Sequence, residues 1–399
     1  MIHPYAYYPA RAARLWPERV ALIDGARTLT YRELDARASQ LARTLIDLGL
    51  EPGNRVAVVQ ENRAEYVEMV IAIARAGGVL VPLMGMLTEA EHVFMAAESE
   101  ARFIVALSPA AAPRALAGAG ACGATALVLG EADGTLNLKE RADAESGAPL
   151  AIDREPAALA QILYTSGTTG RPKGVTHSYA STAASMGAWV TAFDVRAEDR
   201  LLGQLALSHF GGRAMDTCWL TGATLVILPT PDPKVTIQTI DDQRITILLF
   251  IPTLLQMILD HEDEAAADLS SLRVVLYAAA TDTQSLVRRA LARLGPVLYT
   301  GFGQTESYGL NTYLSPEEHM AALETGGARL ASVGRESTTF SQVRLLSDEG
   351  EEVPPGEIGE ICIYAPWITP GFWKRPDLDR ARLRDGWLRT GDLGRADEE

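Results

Sequence analysis

Residues 164–174, YTSGTTGRPKG, combine the side chains and the backbone freedom needed to hold a polyphosphate. Glycines let backbone N–H groups turn toward anionic oxygens, and Arg171 and Lys173 add positive charge beside them. The hydroxyl and glycine positions of this loop are Thr165, Ser166, Gly167, Thr168, Thr169, Gly170 and Gly174. A polar linker is the alternative interpretation. The apolar run at 159–164 favours instead a buried strand that leads into a binding loop.

The loop differs from the Walker A motif of P-loop NTPases. That motif has the order G-x-x-x-x-G-K-[ST], whereas Gly170 is followed here by Arg-Pro-Lys-Gly. Neither Ser nor Thr follows Lys173. The sequence therefore disfavours a P-loop NTPase.

A second string, YTGFGQTE, follows a predicted strand. Ligands of open parallel sheets bind beyond the carboxyl ends of strands, so the string has a suitable place for a site. Gly301 and Gly303 would let the backbone approach a flat ligand, on which Phe302 would stack. Thr305 would offer a hydroxyl to a phosphate, and Glu306 would offer hard oxygen to Mg2+. A strand-to-helix turn capped by Thr305 is the alternative.

Two shorter strings each carry a single functional candidate. In TGD, Asp392 is a compact carboxylate suited to accept hydrogen bonds from a ribose diol, although a plain turn explains the same letters. In LSHFGG, His209 has an apolar setting, where a packed structural histidine is the alternative. Arg213 either pairs with a surface acid or presents a cation to a polar substituent of a substrate.

Together these strings resemble the signatures of the adenylate-forming superfamily, which comprises acyl-CoA synthetases, peptide-synthetase adenylation domains and luciferases. YTSGTTGRPKG resembles its phosphate-binding signature nearly residue for residue, and TGD resembles its ribose-binding motif. GFGQTE matches its YGxTE signature, with Phe302 in place of the usual Tyr. Residues 278–280 are Ala-Ala-Ala, where the family usually has a slightly smaller Gly-Gly-Ala or Gly-Ala-Ala.

The resemblance implies roles for individual residues. The catalytic group would be Lys173, His209, Thr305 and Glu306, with Glu306 also binding Mg2+. The nucleotide would contact Thr165, Ser166, Gly167, Thr168, Thr169, Gly170, Ala278, Ala279, Ala280, Gly301, Phe302, Gly303, Gln304, Thr305 and Asp392. The acid substrate would contact His209, Phe210, Gly211, Arg213, Tyr277, Tyr299 and Thr300.

The resemblance also implies a reaction. A carboxylic acid and ATP would give acyl-AMP and pyrophosphate, and CoA would then accept the acyl group in the full-length protein. Transfer to a carrier-protein thiol or to another nucleophile remains the alternative. The tyrosines and the arginine expected near the acid favour a ring-bearing or polar-substituted acid over a long straight alkyl chain.

The family continues past TGDLGR into a C-terminal domain that carries a catalytic lysine. This chain stops at ADEE, so we expect a large N-terminal domain with impaired turnover. A third hypothesis follows from that expectation, in which the chain acts as a binding module that holds acyl-AMP tightly and turns over little.

The composition narrows the choice of partners and compartment. The chain has 399 residues, 47% of them hydrophobic, and a net charge of −15 spread along its length. The negative electrostatic potential of such a chain would repel nucleic acids and anionic membranes. The N-terminus lacks a signal-peptide pattern and no long apolar stretch lacks charges, so we expect a cytoplasmic protein without membrane insertion. Three isolated cysteines indicate neither a disulfide framework nor a zinc site. The sequence leaves open whether the protein forms a homodimer.

Alternating apolar strands and amphipathic helices predict an α/β fold with mainly parallel sheets. Capping-box patterns at Thr30 with Glu33 and at Thr88 with Glu91 predict two helix starts. Short strands with close turns after about residue 333 predict a small antiparallel β-barrel. We expect two stacked parallel-sheet subdomains, over 1–190 with the phosphate loop and over 191–332 with the acid pocket and GFGQTE, and a β-barrel subdomain over 333–399 that ends at TGD.

Overall fold

Three larger sheets and one two-stranded sheet form the framework of the computed structural model, which describes residues 5–152, 154–165, 171–261, 267–278, 284–337 and 340–398. The strands are β1 Val20–Asp24, β2 Arg27–Thr30, β3 Arg55–Gln60, β4 Val79–Met84, β5 Ala101–Ala106, β6 Thr125–Val128, β7 Leu136–Asn137, β8 Leu159–Thr165, β9 Lys173–Ser178, β10 Arg200–Gly203, β11 Thr224–Ile227, β12 Ile247–Phe250, β13 Val274–Tyr277, β14 Leu298–Thr300, β15 Thr312–Tyr313, β16 Arg335–Glu336, β17 Gln342–Leu346, β18 Ile358–Tyr364, β19 Leu383–Arg384 and β20 Trp387–Arg395. The α-helices are α1 Tyr7–Leu15, α2 Tyr31–Asp47, α3 Ala64–Ala76, α4 Glu89–Glu98, α5 Ala112–Cys122, α6 Leu138–Asp143, α7 Tyr179–Phe193, α8 Gly212–Thr221, α9 Pro233–Gln243, α10 Pro252–Leu259, α11 Gln284–Leu294, α12 Pro316–Glu324 and α13 Pro376–Arg382.

Both predicted capping boxes are present. The Thr30 amide donates to Glu33 Oε2 at 2.7 Å, and the Glu33 amide donates to Thr30 Oγ1 at 3.2 Å. Thr88 and Glu91 make the same reciprocal pair at the start of α4. Helix α2 therefore begins at Tyr31, directly after the predicted cap Thr30.

The first large sheet, sheet I, has the strand order β7-β6-β5-β3-β4-β8-β9. Its pairings are parallel except for the last, in which β8 and β9 form an antiparallel hairpin. The phosphate loop predicted from the sequence connects these two strands.

The second large sheet, sheet II, has the strand order β14-β13-β12-β10-β11-β1-β2. The hairpin of β1 and β2 comes from the start of the chain, yet β1 pairs in parallel with β11, where Leu22 lies opposite Leu225. Residues 20–30 thus contribute to the sheet built mainly from residues 200–300, whereas the sequence-based division assigned them to the first subdomain. The division of the chain at residues 190 and 332 stays a prediction.

Alternating side chains divide the hydrophobic interior into layers. In β3, Val56 belongs to the core shared by both large sheets, whereas Ala57 belongs to the outer core of sheet I. In β13, Leu276 belongs to the shared core, whereas Tyr277 belongs to the outer core of sheet II. The shared core also contains side chains of α2, α3, α7 and α8, so these helices lie between the two sheets.

The small sheet has the antiparallel order β17-β18-β20-β19, and it carries the TGD string in β20. The predicted fold class is confirmed as two parallel-dominated sheets with a small curled antiparallel sheet. Within the described ranges, no helix combines the length and the apolar character needed to cross a bilayer.

Candidate active site

The hairpin of β8 and β9 places Thr165 directly opposite Lys173. The Thr165 hydroxyl oxygen is buried and makes no hydrogen bond to any described residue. Five loop residues assigned to phosphate binding, Ser166, Gly167, Thr168, Thr169 and Gly170, lie outside the described residues. The two described ends of the predicted phosphate loop therefore meet at one end of the hairpin.

A short segment of the chain, residues 371–375, which we call the strap, holds this hairpin. The Trp373 amide donates to the Gly174 carbonyl at 2.8 Å, and the Thr176 amide donates to the Gly371 carbonyl at 3.0 Å. The indole N–H of Trp373 donates to the Glu98 carbonyl at 3.1 Å. The strap thus connects β9 to the C-terminal end of helix α4.

Lys173 and Glu306 form an ion pair between two motifs that are far apart in sequence. Lys173 Nζ lies 2.6 Å from Glu306 Oε1, and the two side chains are only 17% and 9% exposed. The ring centroid of Phe372, in the strap, lies 5.4 Å from the same Nζ. The pairing joins the predicted phosphate loop to the GFGQTE string, as their shared role predicts.

The glycines of GFGQTE are required by the packing of the chain itself. A Cβ on Gly301 would overlap the Thr312 carbonyl oxygen, and one on Gly303 would overlap the Gly309 carbonyl oxygen. Phe302 packs against the apolar cluster of the small sheet. Close approach of a nucleotide to Gly301 and Gly303, and stacking on Phe302, stay predictions, whereas the internal packing explains the glycines without a ligand.

Gln304 connects this turn to the TGD string. Its side-chain N–H donates to the Thr390 carbonyl at 3.2 Å and to the carboxylate of Asp392. Asp392 is exposed, and its backbone amide donates to the Thr390 hydroxyl at 3.1 Å. The structure therefore brings three predicted site residues, Lys173, Glu306 and Asp392, to one region.

His209 lies against the strand that leads into the phosphate loop. Its Nε2 is 3.2 Å from the Tyr164 carbonyl, which can only accept, so Nε2 carries the proton. Its Nδ1 then accepts from the Ser208 hydroxyl at 2.9 Å. Burial lowers the pKa of His209, and the nearby Arg213 lowers it further. His209 is therefore a neutral group that reaches from the predicted acid pocket to the loop.

The aromatic residues on the inner face of sheet II form one cluster beside His209. Phe210 meets Trp189 at 6.0 Å between ring centroids, Trp189 meets Phe193 at 5.1 Å, and Phe193 meets Tyr299 at 5.1 Å. A small apolar cavity lies behind them, lined by Trp189, Phe193, Val195, Leu201, Ala214, Thr217, Ile247, Leu249, Val274 and Leu276. The structure thus connects two predicted acid-pocket residues, Phe210 and Tyr299, through the rings of α7.

Other predicted acid-pocket residues lie apart from that cluster. Tyr277 is in the outer core of sheet II, where its hydroxyl lies 2.7 Å from His319 Nε2. Thr300 is buried and pairs through its backbone with Leu314. Gly211 is buried where a Cβ would overlap the Leu205 carbonyl. Their contact with an acid stays a prediction.

Arg213 is paired with a buried acid, which differs from the surface acid considered in the sequence. Arg213 Nη2 lies 2.5 Å from Asp216 Oδ2, one turn along α8, and both side chains are buried. The same Nη2 donates to the Tyr308 hydroxyl at 2.6 Å. Of the predicted adenine contacts, Ala278 is buried beside β12, and Ala279 and Ala280 lie outside the described residues.

Sequence reasoning missed the buried polar residues behind Thr305. His177 Nε2 lies 2.9 Å from the Thr305 carbonyl, and its ring stacks on Tyr308 at 4.0 Å between centroids. Gln161 donates to the Tyr308 hydroxyl. A signal was present in the strands, because Gln161 and His177 are polar residues at positions where β8 and β9 are otherwise buried.

Comparison with known proteins assigns the family. The protein family described as AMP-binding enzyme matches residues 9–373 of the chain. The chain belongs to this family. Its resemblance to the adenylate-forming superfamily is thereby confirmed, and its curated relatives include acyl-CoA and aryl-CoA ligases.

Individual AMP-binding enzymes match almost the whole chain. A feruloyl-CoA synthase from Amycolatopsis sp is 32% identical, over 98% of this chain and 76% of its own length. The medium/long-chain-fatty-acid–CoA ligase FadD8 from Mycobacterium tuberculosis is also 32% identical, over 94% of this chain and 66% of its own. The solved amide bond synthetase McbA from Marinactinospora thermotolerans superimposes with a TM-score of 0.90 at 29% identity, covering 99% of this chain and 77% of its own.

Proposed function

We propose that this chain activates a carboxylic acid with ATP, giving acyl-AMP and pyrophosphate, and that CoA accepts the acyl group in the second step. The observation that carries the proposal is the ion pair of Lys173 and Glu306, because it joins the phosphate loop to GFGQTE at 2.6 Å. The hydrogen bond from Gln304 to Asp392 extends the same region to TGD. Membership of the AMP-binding enzyme family supports this chemistry.

The residues have distinct tasks in such a reaction. The acid oxygen attacks the α-phosphorus, so the protein must align the two substrates and stabilise negative charge on the phosphate oxygens. Lys173 supplies a partly buried ammonium group for that charge. The Thr165 hydroxyl, which has no hydrogen-bond partner among the described residues, adds a hydrogen-bond donor beside it. Asp392 would accept hydrogen bonds from the ribose hydroxyls.

Glu306 fits a magnesium ion delivered with the nucleotide. Mg2+ is held in such sites by one or two carboxylates together with substrate phosphates and water. Within the described residues no group of three His, Cys, Asp or Glu side chains could hold a metal alone, and Glu306 is a single buried carboxylate. When bound, the ion would neutralise charge on the phosphates. Glu306 would hold the ion through its carboxylate oxygens, and the ammonium group of Lys173 beside it would contact phosphate oxygens.

Substitution of the ion pair tests this proposal. Acid-dependent pyrophosphate release should fall by about a hundredfold in kcat/KM for Lys173→Ala and for Glu306→Gln, because each removes a group that acts on developing charge. Lys139→Ala and Asp143→Asn are matched controls, since that pair is also a lysine and a carboxylate at 2.7 Å but lies on the exposed helix α6. Wild-type rates in the two site variants, with an intact fold, would remove the assignment.

We propose further that the acid carries an aromatic ring. The cluster of Phe210, Trp189, Phe193 and Tyr299 offers flat apolar faces beside His209. The indole N–H of Trp189 is buried without a hydrogen-bond partner among the described residues, so it can donate to a substituent on that ring. A panel of benzoates, cinnamates and straight-chain acids, assayed by pyrophosphate release, should give higher kcat/KM for the ring-bearing acids, and preference for long alkyl acids would refute this.

The acyl acceptor requires its own measurement. Solved and curated relatives include an amide bond synthetase and a fatty acid–[acyl-carrier-protein] ligase from Streptomyces coeruleorubidus, so CoA has competitors. We expect mass spectrometry to detect an acyl-CoA product when CoA is added to preformed acyl-AMP. A product formed only with a carrier-protein thiol or an amine would replace CoA while leaving the adenylation proposal intact.

A further inference from the structure

Tyr308 is the meeting point of five separate parts of the chain. Its ring stacks on His177 from β9, and its hydroxyl receives hydrogen bonds from Gln161 of β8 and Arg213 of α8. Its carbonyl oxygen accepts from the Ser185 hydroxyl of α7 at 2.5 Å. The residue itself belongs to the turn that follows GFGQTE, two positions after Glu306.

The backbone of Tyr308 adopts a conformation that these contacts must maintain. Its φ is +47°, in the left-handed region that side chains other than glycine seldom adopt. Such conformations persist only when the surroundings determine them, and they concentrate at functional sites. The Tyr308 amide donates to the Thr305 carbonyl at 3.1 Å, so its conformation closes the turn that carries Thr305 and Glu306.

Arg213 holds the polar side of Tyr308. Its guanidinium carbon lies 3.9 Å from the centroid of the Tyr308 ring, and Nη2 donates to the hydroxyl at 2.6 Å. Asp216 balances the charge of Arg213, and the Tyr5 hydroxyl donates to Asp216 at 3.0 Å. All four side chains are buried. Burying an ion pair is costly, and hydrophobic residues of similar volume often serve stability equally well.

The position of Arg213 also connects the two substrates. Helix α8 begins at Gly212, two positions after Phe210, and we assign His209 and Phe210 to the acid side. Three positions after Phe210 the same segment reaches Tyr308, which belongs to the nucleotide side. A shift of α8 on acid binding would therefore move the turn of Thr305 and Glu306 through the contact of Arg213 with Tyr308.

We infer that Arg213 and Tyr308 are positioning residues for adenylation, which fix the turn of Thr305 and Glu306 against Lys173. Neither residue needs to touch ATP or the acid. His177 contributes from the other side, because its hydrogen bond to the Thr305 carbonyl and its stack on Tyr308 hold the same turn. This inference rests on the proposed adenylation function and assigns a role within it.

The test removes the polar pair without leaving a buried charge. The double variant Arg213→Met/Asp216→Leu should fold, and kcat for acid-dependent pyrophosphate release should fall between about tenfold and a hundredfold with KM for ATP nearly unchanged. Tyr308→Phe keeps the ring and removes only the hydroxyl, and it should lower kcat in the same direction. Combining Tyr308→Phe with the double variant should add little further loss, because both remove one link.

Matched variants elsewhere in the chain control for stability. Arg75 and Asp35 form another buried ion pair, between α3 and α2, so Arg75→Met/Asp35→Leu makes the same chemical change away from the site. Tyr31→Phe likewise removes a buried hydroxyl, which bonds the Cys218 and Ala223 carbonyls. Both controls should retain wild-type kcat. If these controls and the site variants lose kcat equally, in proportion to stability, the positioning role is refuted.

Three results separate this inference from the proposed function. If the wild-type chain releases no acid-dependent pyrophosphate while ATP binding is retained, the adenylation proposal fails and the inference fails with it. If the wild-type chain is active and the stable site variants keep its kcat, only the positioning role fails. If Arg213→Met/Asp216→Leu changes the order of preference among acids instead of kcat for all of them, Arg213 contacts the acid and the positioning role is overturned.

Discussion

Gly303 is a residue whose replacement the structure forbids on packing grounds. A Cβ there would overlap the Gly309 carbonyl oxygen, a backbone atom that cannot rotate away. Gly303→Ala should therefore lower the free energy of unfolding by about 2 kcal/mol or more, measured by urea denaturation. Gly120→Ala is the control, because that glycine is exposed within α5 and its Cβ would meet nothing within 4 Å. It should raise stability by about 0.5 to 1 kcal/mol. Equal effects would contradict the packing explanation.

His177 gives the protein a specific response to acid. Burial lowers the pKa of His177 to about 3, and the neighbouring Arg213 acts in the same direction, so the folded state holds the ring neutral. The unfolded chain takes up the proton near pH 6.5, so the contribution of His177 is complete above that pH and is lost as the pH falls toward 3. In that window the free energy of unfolding should fall by up to about 1.4 kcal/mol per pH unit more steeply than in a non-titrating variant.

His177→Gln supplies that non-titrating variant, because a Gln amide can still donate to the Thr305 carbonyl. The comparison uses urea denaturation of both proteins between pH 7 and pH 4. Carboxylates titrate in both proteins, so the difference between the two pH profiles isolates His177. Parallel profiles would show that His177 takes up no proton on unfolding.

At the scale of elements, backbone hydrogen bonds join the strap to the hairpin of β8 and β9. Trp373→Ala should loosen β9, because it removes the indole bond to the Glu98 carbonyl and the ring that Arg55 covers at 5.4 Å. Hydrogen exchange at residues 173–178 should accelerate by at least about tenfold, which corresponds to about 1.4 kcal/mol of local opening free energy. Trp387→Ala is the control, since that ring packs on Tyr364 within the small sheet. Unchanged exchange in Trp373→Ala would contradict the role of the strap.

Elements with strong local signals were predictable from the sequence. The helix starts at Thr30 and Thr88 each follow from a capping box, which is a local pattern. The pairing of β1 with β11 was not predictable, because nothing in either strand specifies a partner about 200 residues away.

The candidate site shows the same contrast. The grouping of Lys173 with Glu306 was implied by the resemblance of the two strings to the adenylate-forming superfamily. The position of Tyr277 in the outer core of sheet II could not be predicted from the sequence, because it depends on which face of the sheet packs against α11 and α12. The contact of Arg213 with Tyr308 was equally hidden, since Tyr308 is recognisable as a partner only when α8 is packed against the turn. The contact with Asp216 is local, because Asp216 lies one turn along the same helix.

At the scale of the whole molecule, the strongly acidic chain must hold an anionic nucleotide by local positive charge. The net charge is −15, and Lys173 is a partly buried cation at the proposed site. ATP with Mg2+ at about a hundred times its Kd should raise the free energy of unfolding by about 2.7 kcal/mol. Lys173→Ala and Asp392→Asn should reduce that gain, as measured by urea denaturation with and without nucleotide. A free energy of unfolding that nucleotide leaves unchanged in the wild-type chain would contradict the nucleotide site.

The hairpin of β1 and β2 affects how the protein is made. Its parallel partner, β11, is about 200 residues further along, so at a synthesis rate of about 5 to 20 residues per second β1 leaves the ribosome roughly 10 to 40 seconds before its partner exists. During that interval the apolar edge of β1 has no native neighbour and is open to non-native pairing. Sheet I can assemble while the chain is still being synthesised. Sheet II can form only after residues 200–300 have been synthesised, and it must then incorporate β1 and β2 from the start of the chain.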